Sequence, residues 1–529
     1  MTMMRAMTTI SFSLRHRPSS IVDPSSFPHL ILYYSIATMT ETHSSSRSSS
    51  SSNNSSPSNS GSDVVLWITY INIVLYALCY QLQRPVEPFL VQSLTENHND
   101  PAQVTLMYSR LQSFFSALQT VGSPLVGILL DRVGVRSASA LVFCASAASY
   151  AILSVATTMP LLFLSKFPTL LQHAFLVAQA AAAISTGTNA AARAQALGRM
   201  TTAYTIGGTI GPALGGWLVE TMGDLYLGAK LAVVGSLVSV VLSIVYLPSK
   251  EETAAAVHTT TATSSSMPAS KSATTATATS TSTMPAPTTI VKKRSFAQEL
   301  QHSYNIALRP NLWPLLLVKV IGGFAASMHS TALPLVLVQS LHFDPSQLGF
   351  SMSTAMFAVA TFGAIAMAPL ASPNVLGPSG MGRVGLLLRA GLASLLAVIV
   401  TNSSSSSMHD NESSGAPSSI VSRVVAASVL HALASHVLAT GLTTQTTGRV
   451  SKSEQGALLG LEHGLFSMAR IGAPPLASHL LLHSGGGFWT VALFCGAVDV
   501  ALVGLLVATK SQQNMTLLDC GKTDDEHSD

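Results

Sequence analysis

Apolar residues gather along this chain in runs too long for the buried face of a soluble helix. "VVLWITYINIVLYALCY", "ALVFCASAASYAILSVA", "AKLAVVGSLVSVVLSIVYL" and "VALFCGAVDVALVGLLVA" carry at most one charge each and do not alternate. Helices rise 1.5 Å per residue, so about 20 apolar residues cross a hydrocarbon core of roughly 30 Å. Runs of this kind satisfy their backbone in lipid only as helices. Hydropathy places them near 64–91, 104–130, 138–157, 161–185, 201–220 and 226–247. A second group falls near 312–335, 348–371, 384–400, 420–440, 457–482 and 488–509. The expectation is an all-α polytopic membrane protein of about twelve transmembrane helices in two six-helix halves.

Polar segments divide these groups. Residues 1–62 end in a serine tract and read as a disordered or targeting tail. The N-terminal half runs over 63–249, a Ser/Thr/Ala-rich linker over 250–300, the C-terminal half over 301–510 and a tail over 511–529. "ALGRMTTAYTIGGTIGPAL", 196–214, aligns without gaps on "LLGLEHGLFSMARIGAPPL", 458–476, which sets Gly198 on Gly460, Tyr204 on Phe466 and Pro212 on Pro474. These are the fifth and eleventh spans, so the halves read as duplicates. Parallel halves around a central site are a transporter architecture.

Charge then sets orientation. Only 9% of residues are charged, against roughly a quarter in soluble proteins. With the amino terminus in the cytoplasm, inside loops collect Arg132, Arg136, Arg193, Arg199, Lys250, Lys292, Lys293, Arg294, Arg309, Arg383, Arg449, Lys452 and Lys510. The outside loops "TENHNDP", "ETMGDLY", "HFDPSQ" and "MHDNESSG" are acidic or neutral, which the positive-inside rule favours, with both termini cytoplasmic. Arg110, Lys230 and Arg423 run against the trend. Asn411 heads a glycosylation sequon in an outside loop, pointing to the plasma membrane or an endomembrane. The net charge of +4 is dispersed, so no nucleic-acid surface is expected. No G-x-x-x-x-G-K-[ST] loop occurs, so no nucleotide site is expected. The four cysteines and the histidines lack metal-ligand spacing; neither a metal nor a cofactor is implied.

Two motifs carry a resemblance. "GILLDRVGVR" between spans two and three resembles the G-x-L-x-D-R-x-G-R-R loop of the major facilitator superfamily, through Gly127, Leu129, Asp131, Arg132, Gly134 and Arg136. Val135 replaces the first of the paired arginines. "GGTIGPALGG" resembles the fifth-helix pattern G-x-x-x-G-P-x-x-G-G, met by Gly207, Gly211, Pro212, Gly215 and Gly216. The first half resembles the organic-cation-transporter-like and tetracycline-efflux branch. The resemblance implies an antiporter of small organic, cationic or amphipathic solutes. The helix dipole gives the loop an expected gating role: Asp131 docks near the start of helix eleven, where Ser451 and Glu454 have capping-box spacing, when the cytoplasmic side closes, while Arg132 and Arg136 hold the loop and headgroups. The glycine stripe is a packing surface and, by resemblance, a seam that limits leak.

Charges within spans are costly and usually face a cavity or a partner. Arg84 and Glu87 lie three apart in helix one and can pair. Lys166 stands where related antiporters carry arginine, with His173 on nearly the same face. Lys319 and Asp499 lie at similar depth, a possible buried pair, and Glu462 and Arg470 polarise helix eleven. These eight residues are the candidates for coupling or substrate contact. Three functions remain open on sequence grounds: a proton-coupled antiporter acting as a monomer on a small organic solute, an uncoupled facilitator in which the charges are braces, and a non-transporting scaffold or receptor. No catalytic constellation points to an enzyme.

Overall fold

The computed structural model describes residues 60–96, 100–186, 190–252, 301, 304–406, 418–451, 454–483 and 487–525. The serine tract, most of the linker, the Asn411 sequon, Lys452 and the last four residues lie outside them, as do the side chains of His463 and Lys510.

The first set of helices comprises α1 (Ser60–Leu82), α2 (Glu87–Leu94), α3 (Pro101–Ser154), α4 (Met159–Lys166), α5 (Ala174–Thr186), α6 (Ala190–Met222) and α7 (Leu227–Tyr246). The second set comprises α8 (Trp313–Ser340), α9 (Pro345–Ala371), α10 (Gly377–Ser406), α11 (Ser418–Thr447), α12 (Gln455–His483) and α13 (Phe488–Asp525). α7 shows what solvent they are made for. Gly228, Ala229, Ala232, Ser236, Ser239 and Ser243 are buried, while Leu231, Val234, Val238, Val241 and Val245 are exposed. Both stripes follow helical spacing. The larger apolar side chains point outward, the reverse of a water-soluble helix, and the small residues let α7 approach α1 and α3.

Among the described residues, nine helical stretches are long and apolar enough to cross a membrane. One, Pro101–Ser154, is two helices joined at Gly134, whose φ of 80° is a conformation side chains disfavour. α6 and α12 have the length, 33 and 29 residues, but not the hydropathy. They are the two repeat-related helices, each carrying several glycines and at least one proline. The expectation of twelve spans is thus met only in part by apolar length.

Each set has its own core. Ile73, Val142, Val177 and Met200 pack in the first; Met328, Leu337, Leu396, Val424 and Val491 pack in the second. The sets meet through α6 against α9 and α3 against α12. These contacts gather toward the acidic loops. The Ser109 hydroxyl bonds that of Ser478 at 3.0 Å, Ser113 donates to the Ile471 carbonyl at 2.8 Å, and the Ala213 amide donates to Ser353 Oγ at 2.8 Å. The buried residues of α9 are Leu348, Gly349, Ser351 and Ser353, all in its first turns. The remainder of that helix, toward the basic loops, is not buried. The contacts named here thus join the sets toward the acidic-loop face, and α9 is more open toward the basic-loop face.

Candidate functional site

Two helices of the first set break at one place. Pro85 and Pro88 deprive the chain of amide donors, so α1 stops at Leu82 and α2 starts at Glu87 across a turn. α4 stops at Lys166, continues as a 3-10 turn over Phe167–Leu171 containing Pro168, and α5 resumes at Ala174. Irregular backbone at membrane depth needs partners. Ser149 Oγ donates to the Ser165 carbonyl at 2.7 Å, Gln119 Nε2 to that of Thr169 at 2.7 Å, and the Tyr76 hydroxyl to that of Gln172 at 3.3 Å.

The breaks bring Glu87 and Lys166 together. Lys166 Nζ lies 2.6 Å from Glu87 Oε1, and Gln112 Nε2 donates to Glu87 Oε2 at 2.7 Å. This corrects the Arg84–Glu87 pair expected from sequence: although the turn keeps a bond from the Glu87 amide to the Gln83 carbonyl, Glu87 makes its salt bridge with Lys166. Arg84 instead lies over the Tyr80 ring, 6.0 Å from its centroid, and pairs with no carboxylate among the described residues. The shared face of Lys166 and His173 is lost because a 3-10 turn intervenes; His173 sits against Gly122 of α3. Tyr80, Gln83, Arg84, Glu87, Phe115 and Lys166 help line a small cavity. Next to it, a second small cavity lies between Arg84, Tyr108 and Ser116 on one side and Ser327, Thr331 and Arg470 on the other.

Two ion pairs join helices of the second set among the described residues, and neither is the expected Lys319–Asp499. Lys319 Nζ lies 2.5 Å from Glu462 Oε2, joining α8 to α12. Asp499 is gripped by the fork of Arg389, with Nε donating to Oδ2 at 2.8 Å and Nη2 to Oδ1. Depth along the bundle matched Lys319 with Asp499, but helix rotation turns them to different neighbours. Arg389, only 4% exposed, was not singled out from sequence. The signal was there: an arginine within "GLLLRAGLASLL" has no charged neighbour of its own and so requires one from another helix.

The sequence profile of the Major Facilitator Superfamily matches residues 69–409, well over half of the chain. The chain belongs to the Major Facilitator Superfamily. Among curated relatives, solute carrier family 22 member 18 of Mus musculus is 28% identical over 294 residues, 55% of this chain and 63% of that protein. The tetracycline resistance protein, class G, of Vibrio anguillarum is 32% identical over 152 residues, 28% of this chain and 37% of its own length. The aligned region thus spans less than two thirds of these relatives. Among solved structures, the human organic anion transporter MFSD10 (TETRAN) shares the fold, with a TM-score of 0.56, 19% identity, and coverage of 84% of this chain and 99% of that one.

The superfamily loop motif is built around Gly134, whose positive φ sharply turns α3. Arg136 holds the loop through contacts with the protein. Its Nε donates to the Leu247 carbonyl at 2.5 Å and its Nη2 lies 3.1 Å from Glu252. Lys250 Nζ donates to the Arg132 carbonyl at 2.8 Å. The loop is thereby strapped to the end of α7. Gly127 lies in open space and Asp131 is exposed at the same face.

The start of α12 is occupied. Ser451 donates through Oγ to Glu454 at 2.9 Å, and Arg309 forks the Glu454 carboxylate at 3.1 and 2.5 Å. The bonds from Arg309, then those from Ser451, hold this carboxyl down at about 2, against an ordinary 4.5. A depressed folded-state pKa stabilises fully above the unfolded value and is lost as pH falls through the folded one. The thermal-midpoint difference between the parent chain and Glu454→Gln should therefore shrink as pH falls from about 4.5 toward about 2. A difference that is constant through this window would contradict the tie.

The fifth-span motif also resolves into two surfaces. A Cβ on Gly207 would meet the Val74 carbonyl at 2.5 Å, one on Gly211 the Gln81 Cβ at 2.6 Å, and one on Gly215 the Leu82 carbonyl. That stripe seats α6 on α1, inside one set. Gly216 faces the other way, onto the Pro345 carbonyl of α9, and Gly349 returns the contact onto the Pro212 carbonyl. The seam between sets thus uses Gly216 and Pro212 but not the stripe of three.

Proposed function

We propose that this chain is a secondary active transporter that exchanges a small organic solute for protons by alternating access, in the direction of efflux. The two halves, 63–249 and 301–510, rock about the central cavities. The basic loops lie in the cytoplasm, so an arrangement open at that face is the inward-open one. The single observation that carries this reading is the Glu87–Lys166–Gln112 cluster at the breaks of two interrupted helices, beside a cavity. Protonation of Glu87 discharges its pair with Lys166, and the released ammonium then changes the field of the cavity, so proton and solute binding become linked. Arg389–Asp499 is a brace, because both groups are spent on each other and buried. Likeness to a tetracycline resistance protein supports the efflux direction.

The test is purified protein in proteoliposomes with an internal pH dye, challenged with panels of organic solutes. Solute-triggered proton movement is the expected result. Glu87→Gln should abolish it while leaving exchange of labelled for unlabelled solute intact. Proton movement undiminished in Glu87→Gln would remove that residue from coupling. Solute flux with no proton movement would make the protein a facilitator.

A further inference from the structure

Three cationic side chains, Arg84, Lys166 and Arg470, face the two central cavities against one carboxylate, Glu87. That carboxylate is already engaged by Lys166. Arg84 lies over Tyr80 at 6.0 Å and feels Glu87 only at longer range, without a salt bridge to it, and Arg470 lies over Phe466 at 5.8 Å. Neither pairs with a carboxylate among the described residues. They stand on α1–α2 and α12, hence on opposite sets, and line one cavity together.

An unneutralised guanidinium at membrane depth is costly and is retained where it meets a partner or a ligand. Two of them across one cleft add like-charge repulsion that grows in a low dielectric. The guanidinium fork matches carboxylates, sulfonates and phosphates, taking two of their oxygens at once. Tyr80 stacks between Tyr76 and Phe115, at 6.3 and 6.2 Å, which gives the neighbouring cavity an aromatic wall.

We propose that Arg84 and Arg470 together bind the anionic group of a small organic acid whose apolar body lies against the Tyr80–Phe115 wall. The anion bridges the two sets. It cancels the repulsion that otherwise opposes their approach at the basic-loop face, so a loaded cleft closes and an empty one resists closing. The inference takes its cargo reading from the proposed transport, but binding is measurable without transport.

The probe is a matched series: 2-naphthoate, neutral 2-naphthamide and (2-naphthyl)trimethylammonium, titrated onto the full-length protein in detergent. The expected result is saturable binding of 2-naphthoate and none of the ammonium. Arg84→Gln and Arg470→Gln should each weaken naphthoate binding by about tenfold or more, and Arg470→Lys by less. The comparison of the three probes on the unsubstituted chain stands even if a variant fails to fold. Tighter binding of the ammonium, or naphthoate affinity unchanged in both glutamine variants, overturns the proposal. Inorganic phosphate alone should displace naphthoate poorly, lacking an aromatic body. Full displacement by phosphatidylglycerol vesicles would make the ligand a lipid and overturn it too. Ammonium–proton exchange without naphthoate binding would sink this inference and leave the transport reading standing. Naphthoate binding with no flux of any solute would do the opposite.

Discussion

Asp499→Ala should lower stability by about 3–5 kcal/mol, because it leaves Arg389 buried without its counter-ion. Asp499 is 1% exposed and Arg389 4%, and each fills the other's hydrogen bonds in a two-point grip. Arg389→Ala should cost as much for the mirrored reason. The double replacement Arg389→Met/Asp499→Leu removes both charges together and should recover most of the loss, since apolar residues of similar size often replace a buried pair at little cost. The measurement is the thermal unfolding midpoint of purified protein, with each single variant falling by about 3–5 °C. The same variants separate brace from proton carrier. If the double variant is stable and still moves protons with solute, Asp499 plays no part in coupling. If it is stable but uncoupled, the coupling role moves from Glu87 to Asp499.

Gly216→Val should shift the protein away from the arrangement described above. A Cβ at that position meets the Pro345 carbonyl, with the Pro345 carbonyl carbon at 2.7 Å and the Ser346 Cα at 2.8 Å. These are backbone atoms, so no side chain can rotate out of the way. Overpacking of this kind costs about 1–3 kcal/mol, and if it is felt only where α6 and α9 touch, it changes the population about 5–150-fold. Spin labels at Met222 and Phe350, both exposed, report the separation at the acidic-loop face. Gly216→Val should lengthen that distance. Gly198→Val, on the same helix with open space around it, should leave it alone. Equal distances in both variants would mean that the α6–α9 contact does not gate this face.

The membrane character of the chain, the places of the spans, the loop charge asymmetry and the two motifs were all legible in the sequence, although α6 begins at Ala190 rather than near 201 and α11 runs to Thr447 rather than 440. Each depends on local chemistry: apolar length against bilayer thickness, or a glycine where the backbone must turn, as at Gly134. The glycine spacing of Gly207, Gly211 and Gly215 likewise announced a close helix contact, though not which helix would fill it. The breaks beside Glu87 and Lys166 were also written locally, in Pro85, Pro88 and Pro168, and treating helices one and four as continuous is what hid them.

What the sequence could not decide was partnership between distant segments. Glu87 joins Lys166, Lys319 joins Glu462, and Arg389 joins Asp499, although hydropathy fixes only how deep each residue lies. Rotation of each helix about its axis, set by packing of small residues against neighbours, selects the partner. The same packing leaves Arg84 and Arg470 facing one cavity from opposite sets. An ion pair is a short-range contact in three dimensions, and residues 79 or 143 positions apart in sequence meet only after every intervening helix has been placed.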